Sequence, residues 1–236
     1  VKPRFHYVPE EAVAHLCASD PRLAETIGRV GPFTLRLRPV KTLFDALLRS
    51  IVYQQLHGSA AAAIHARVMT VLAHHGGPNP QALRIASDLE LRGAGLSANK
   101  LAAARDLGRR CLDGTVPTLR EAARLGDDEL ITRLTTVRGI GPWTVHMLLL
   151  FYLGRPDVMP TGDFAVRAAF RKIYRKRKDP TPAVLLRHAR RWQPYRSVAA
   201  WYLWRSLDTK LLADTDTSAK RAPARRGPLV RRKARG

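Results

Sequence analysis

Two glycines, a proline and a carboxylate make up the chemistry that stands out in this sequence. They fall within residues 134–163, LTTVRGIGPWTVHMLLLFYLGRPDVMPTGD. Apolar residues at helical spacing (Leu130, Ile131, Leu134, Val137) lead into Arg138-Gly139-Ile140-Gly141, and an apolar helix restarts at Pro142 and is expected to reach Leu153. Gly139 and Gly141 allow backbone conformations closed to other residues and a close approach to a partner. Pro142 suits a first helical turn, where its missing N–H costs nothing. The pattern predicts helix, hairpin and helix, with bare N–H groups and a helix N-terminus facing outward, a seat for a phosphate. Further on, Asp163 precedes a helical run over 164–174, and its plainest role is to cap that helix.

The elements that must hold these residues all read as helices. Residues 10–18 and 21–30 are two short helices, the second capped by Asp20, and a Gly31-Pro32 break leads to an extended FTLRLRPV. From Thr42, Leu43, Phe44, Leu47, Leu48, Ile51, Val52 and Leu56 line one apolar face that ends in Tyr53-Gln54-Gln55-Leu56-His57-Gly58, after which Ser59 can cap a helix over 60–74. Helices are also expected over 79–86, 88–92, 119–124 and 127–137, and over 98–112 behind the cap Ser97. Arg92-Gly93-Ala94-Gly95 echoes the hairpin at 138–141 and is read as a structural junction rather than a second phosphate site. Past Pro180-Thr181-Pro182, the run Arg191-Trp192-Gln193-Pro194-Tyr195-Arg196-Ser197 introduces a last helix over 198–207 containing Trp201 and Trp204. The expectation is an all-α fold.

Composition narrows the partner. Forty-one Lys+Arg against nineteen Asp+Glu give +22, which calls for a polyanion. The longest apolar run, 145–153, is about half a bilayer span and contains His146, so the polyanion is expected to be nucleic acid and not a membrane. From Thr209 the chain turns to Lys, Arg, Ala, Pro and Gly; this tail carries +7, leaves +15 on residues 1–208, and is expected to be disordered and to tether to phosphates. Cys17 and Cys111 are the only cysteines, too few for a four-cysteine iron–sulfur cluster or a zinc ribbon. With no apolar leader at its start, the chain is expected in the cytoplasm, with both thiols free.

The pattern Leu-x-x-Val-x-Gly-Ile-Gly-x-x-Thr resembles the helix-hairpin-helix DNA-binding motif. Followed by Met159-Pro160-Thr161-Gly162-Asp163, it resembles the helix-hairpin-helix/Gly-Pro-Asp superfamily of base-excision DNA glycosylases over about residues 41–207, and within it the DNA-3-methyladenine glycosylase II family. The resemblance implies two helical lobes, one of about 41–145 and one of 1–40 with 146–208, with the hairpin and Asp163 at the cleft between them. It also implies a monomer acting on double-stranded DNA with damaged bases, associated with the nucleoid if the source is bacterial.

Residue by residue, the resemblance makes Asp163 the catalytic carboxylate and Trp143, Trp204, Tyr53 and Phe164 the base pocket. Gln55 and Leu56 become the wedge that fills the gap left by a flipped base, although His57-Gly58 lengthens that loop and leaves open which tip residue inserts. Phosphate falls to Gly139, Ile140, Gly141 and Thr144, and a monovalent cation such as Na or K to the carbonyls of Thr135, Val137 and Gly139; no other cofactor is expected. Superfamily members that also cut the strand carry a Schiff-base Lys where this chain has Trp143, so the expected activity is monofunctional. The aromatic residues suit cationic N3- or N7-methylated purines. The alternatives are a glycosylase for a mismatched or deaminated base, or a non-catalytic helix-hairpin-helix DNA-binding module.

Overall fold

Short polar residues that accept a hydrogen bond from the turn ahead of them decide where most of the helices begin. The computed structural model describes residues 4–56 and 58–208. Its first half holds α1 (Pro9–Ser19), α2 (Pro21–Val30), α3 (Leu43–Tyr53), α4 (Gly58–His74), α5 (Pro80–Ile85), α6 (Asp88–Gly93) and α7 (Ala98–Leu112). There follow α8 (Leu119–Ala122), α9 (Asp127–Leu134), α10 (Pro142–Phe151), α11 (Phe164–Ile173), α12 (Pro182–His188), a 3-10 turn (Ala189–Trp192) and α13 (Arg196–Arg205). Asp20, Thr42, Asn79, Ser97, Asp163 and Thr181 each cap the helix that follows, while Ser87 and Thr118 form reciprocal capping boxes with Glu90 and Glu121. Ser59 does not cap α4, which already begins at Gly58.

Among the described residues there is no strand. The extended segment after Gly31 finds no second strand to pair with; instead the Arg38 N–H donates to the Phe151 carbonyl at 2.8 Å. There α10 stops at Phe151, short of Leu153, because Gly154 (φ +61°) turns the chain away. No side chain fits at Gly154, where a Cβ would stand 2.7 Å from both the Arg4 carbonyl and Leu37.

Two hydrophobic cores divide the chain. One is built from α3 through α10 and runs on to Val158, with Leu47, Leu48, Ile51, Leu72, Leu83 and Leu91 fully buried. The other joins α1 and α2 to α11, α12 and α13, its C-terminal part beginning at Met159. The boundary therefore falls after Val158 and not at 145. Pro142–Phe151 is apolar on nearly all sides, so α10 packs into the first lobe as a whole. Trp204 on α13 packs against both cores. The second lobe is pinned by Asp20, buried at 2 % exposure, which accepts from the Tyr174 hydroxyl at 2.7 Å and the Trp192 indole at 3.1 Å and lies 3.0 Å from the His188 Nε2. His57 and the basic tail from residue 209, with the loop extension and the disorder expected of them, lie outside the described residues.

Candidate active site

The hairpin forms because α9 ends at Leu134, the chain turns through Gly139 at φ +79°, and α10 starts at Pro142 behind Gly141. Gly139 must be glycine: besides its positive φ, an added Cβ would come 3.3 Å from the Ala103 Cβ on α7. Gly141 differs from expectation. Its φ of −99° is open to any residue and nothing lies within 4 Å of an added Cβ, so what its missing side chain provides is an open helix N-terminus.

Not every N–H here is free. Ile140, 4 % exposed, donates to the Val137 carbonyl at 3.0 Å, and the Arg138 N–H donates to the Asp106 carboxylate at 2.8 Å. The N–H groups of Gly139, Gly141, Trp143 and Thr144 have no protein acceptor among the described residues. These four are the open N–H donors of the hairpin, Trp143 among them, whereas Ile140, expected from sequence to face a phosphate, has its N–H taken by Val137. Thr144 is buried, so it offers mainly its main chain.

Asp163 caps α11 and is bonded to the first turn of α10 through the Trp143 indole. Its Oδ1 accepts the Val166 N–H at 2.8 Å and the Trp204 indole N–H at 3.0 Å, and its Oδ2 accepts the Trp143 indole N–H at 2.7 Å. Three N–H donors thus converge on one carboxylate from α10, α11 and α13. Charge-assisted bonds of this kind hold a carboxylate in one orientation. The two tryptophans, read from sequence as walls for a base, are therefore also the clamps of the carboxylate. Trp143 remains 50 % exposed and Phe164 75 % exposed, so both present open aromatic faces beside Asp163. Trp204 is half-buried, its ring 5.5 Å from that of Phe151. Tyr53 has other neighbours: the Arg49 guanidinium lies 3.9 Å from its ring centre, and the His65 ring is 6.1 Å away.

The loop that delivers Asp163 is fixed by Asp157, Arg196 and Ser197, to which the sequence assigned no such role. Asp157 accepts from Arg196 Nε at 2.6 Å and Nη2 at 2.9 Å, the Val158 N–H donates to the Ser197 hydroxyl at 3.0 Å, and the Ser197 N–H donates to the Pro156 carbonyl at 3.0 Å. The start of α13 thus holds one end of the loop while Trp204, two turns on, holds the other. The adjacent Arg196-Ser197 pair, which opens α13 two residues before the expected start at 198, was the available signal.

The turn after α3 is exposed. Gln55 lies in the left-handed region (φ +57°) and Leu56 is 39 % exposed, so Leu56 is no part of the core. By contrast, Gly95 in the second glycine turn packs under α4, 3.0 Å from Ile64 at its would-be Cβ, and Arg67 donates to the Ala94 carbonyl at 2.9 Å; it is the junction the sequence suggested. Among the described residues, no three or more His, Cys, Asp or Glu side chains come together as a metal site.

Known proteins with these features can be named. The pattern of the HhH-GPD superfamily of base excision DNA repair proteins matches residues 48–194. DNA-3-methyladenine glycosylase 1 of Schizosaccharomyces pombe is 38 % identical over 207 residues, 86 % of this chain and 89 % of the relative. A solved structure of the S. pombe 3-methyladenine DNA glycosylase in complex with abasic DNA superposes with a TM-score of 0.72 at 37 % identity, covering 83 % of this chain and 96 % of that one. The crystal structure of a Bacillus halodurans DNA-3-methyladenine glycosidase gives 0.76 at 33 % identity over 86 % of this chain and 91 % of that one.

Proposed function

The chain belongs to the HhH-GPD superfamily of base excision DNA repair proteins, and we propose that it is a monofunctional DNA glycosylase that removes alkylated purines. The observation that carries this reading is the Asp163 carboxylate, clamped by the indoles of Trp143 and Trp204 next to a hairpin with free N–H groups. A DNA-binding module gains nothing from an anion facing phosphates. Resemblance to relatives named as 3-methyladenine glycosylases supports the substrate class.

A base inside a duplex is out of reach, so the target must be turned out of the stack toward Asp163. The hairpin grips a phosphate through the N–H groups of Gly139, Gly141, Trp143 and Thr144, and the exposed tip at Gln55 and Leu56 fills the vacated space. The open faces of Trp143 and Phe164 stack on a methylated purine whose positive charge they attract. That purine needs no acid to leave. As the C1′–N bond breaks, the base takes the bonding pair and becomes neutral while positive charge builds on the sugar; Asp163 stabilises that charge. Water bonds to C1′ and gives its proton to the carboxylate. The products are free base and an abasic site in an intact strand, since position 143 holds no amine.

No other cofactor enters this scheme. The carbonyls of Thr135, Val137 and Gly139 are hard oxygen donors that fit an Na or K ion. Val137 already accepts the Ile140 N–H and Gly139 the Gln54 side chain, which leaves each a lone pair for an ion at the hairpin. The protein acts as a monomer on chromosomal DNA. The test is incubation with duplexes that each carry one modified base, scoring free base. Release of N3-methyladenine or N7-methylguanine is expected, and release of only deaminated or mismatched bases would overturn the substrate assignment.

A further inference from the structure

The wedge turn is tied to the phosphate seat by one side chain outside both. α3 ends at Tyr53; Gln54 leaves the helix at φ −57°, ψ 132°, and Gln55 then turns through φ +57°. A left-handed non-glycine residue at an exposed tip is not held by its own preference. The Gln54 Nε2 donates to the Gly139 carbonyl at 2.7 Å, across 85 residues of sequence. Among the described residues this is the hydrogen bond that joins residues 54–56 to the hairpin. A second hold lies just behind it, where Lys100 on α7 donates from Nζ to the Val52 carbonyl at 2.7 Å in the last turn of α3. Burial draws the Lys100 ammonium below its ordinary range. Ala103, one turn along α7 from Lys100, is the residue that the backbone of Gly139 rests on. Thus α7 is the floor for both the hairpin and the end of α3, and Gln54 closes the triangle above it.

The geometry points to Gln54 as a positioning residue that keeps the wedge in register with the gripped phosphate, so that strand grip and base displacement occur at one fixed spacing. The inference rests on the glycosylase reading above. A tip that enters the stack must do so at a set distance from the phosphate held at Gly139 and Gly141, and small misplacement of a positioned group costs rate steeply. Loss of Gln54 leaves the four N–H groups of the seat intact. It therefore spares grip and impairs displacement.

The experiment compares wild type with Gln54→Met, which keeps length but has no donor, and Gln54→Ala. Each is assayed on two duplexes, one with N7-methylguanine opposite cytosine and one with the same base opposite thymine, where the pair is already weak. The readouts are affinity for undamaged duplex, fluorescence of a 2-aminopurine beside the lesion as a report of flipping, and single-turnover release of base. An exposed neutral hydrogen bond sets the scale, so release from the stable pair should fall about threefold to tenfold with a matching loss of flipping signal. Release from the weak pair should fall by less than twofold, with undamaged-duplex affinity unchanged. Equal release from the stable pair would overturn the inference, as would an equal deficit on both substrates or a parallel loss of undamaged-duplex affinity. Failure of the wild-type protein to release the base from either duplex would instead overturn the glycosylase reading.

Discussion

Replacing Asp163 with asparagine separates the carboxylate's chemistry from its service to the fold. Asparagine caps helices about as well as aspartate, so α11 keeps its start and the bond from the Val166 N–H. The amide oxygen can still accept from Trp204. The amide nitrogen cannot accept from Trp143, whose indole N–H, on a side chain 50 % exposed, turns to water. One net hydrogen bond is at stake, about 0.5–1.5 kcal/mol. In a chain of this length that lowers the melting temperature by about 2–4 °C per kcal/mol. The reaction loses the charge that faces the developing cation at C1′. Removing one preorganised electrostatic group typically costs about 100- to 1,000-fold in rate, near 2.7–4 kcal/mol. Asp163→Asn should therefore cut single-turnover release of N7-methylguanine at saturating enzyme by at least about 100-fold. It should bind duplex as well as or better than wild type, because an anion has left the phosphate surface. Release within tenfold of wild type would remove Asp163 from the mechanism, and a collapsed melting transition would assign the loss to the fold.

Other perturbations act on other parts of the molecule. Gly141→Asp adds a cap where φ is ordinary and space is open, so stability should hold while DNA affinity in filter binding drops at least about fivefold, one charge near a phosphate costing roughly 1–4 kcal/mol; equal affinity would make the hairpin a mere turn. Wild-type protein should leave the abasic strand intact until hot alkali and give no borohydride-trapped adduct, whereas Trp143→Lys, placing an amine where the indole reaches Asp163 at 2.7 Å, should give a weak one. Asp20→Ala should cost about 3–5 kcal/mol in thermal or urea unfolding, since it strands Tyr174, His188 and Trp192. Burial alone would raise the Asp20 carboxyl, but the donors His188, Tyr174, the Leu23 N–H and Trp192 hold it well below the usual carboxylate range. The stability it contributes is thus complete above that range and lost progressively as pH falls from it toward the lowered native value, so the variant's melting temperature should vary less with acid below about pH 5. Deleting residues 209–236 removes a net +7, which should flatten the salt dependence of non-specific DNA binding and leave single-turnover excision nearly unchanged.

Local chemistry made much of this protein legible from its sequence. Helix starts follow from caps such as Asp20, Ser97 and Asp163, whose side chains bond the turn beside them, and the hairpin follows from Gly139 and Pro142. Those interactions span a few residues, so the order of residues is enough to specify them. Charge likewise announced a polyanionic partner. Other features depended on residues far apart in the chain. Nothing in the local pattern says that the indoles of Trp143 and Trp204 meet on Asp163, that Arg196 clasps Asp157, or that Gln54 rather than Gln55 bonds the hairpin. The lobe boundary also moved, from 145 to after Val158, because α10 has no polar face to mark which core it joins. Even Ile140, inside the hairpin pattern, spends its N–H on a turn bond with the Val137 carbonyl, which the order of residues does not announce. Sequence specifies the bonds a residue makes with its neighbours; which distant side chains find each other depends on how the helices pack, and in this protein that packing assembles the site around Asp163.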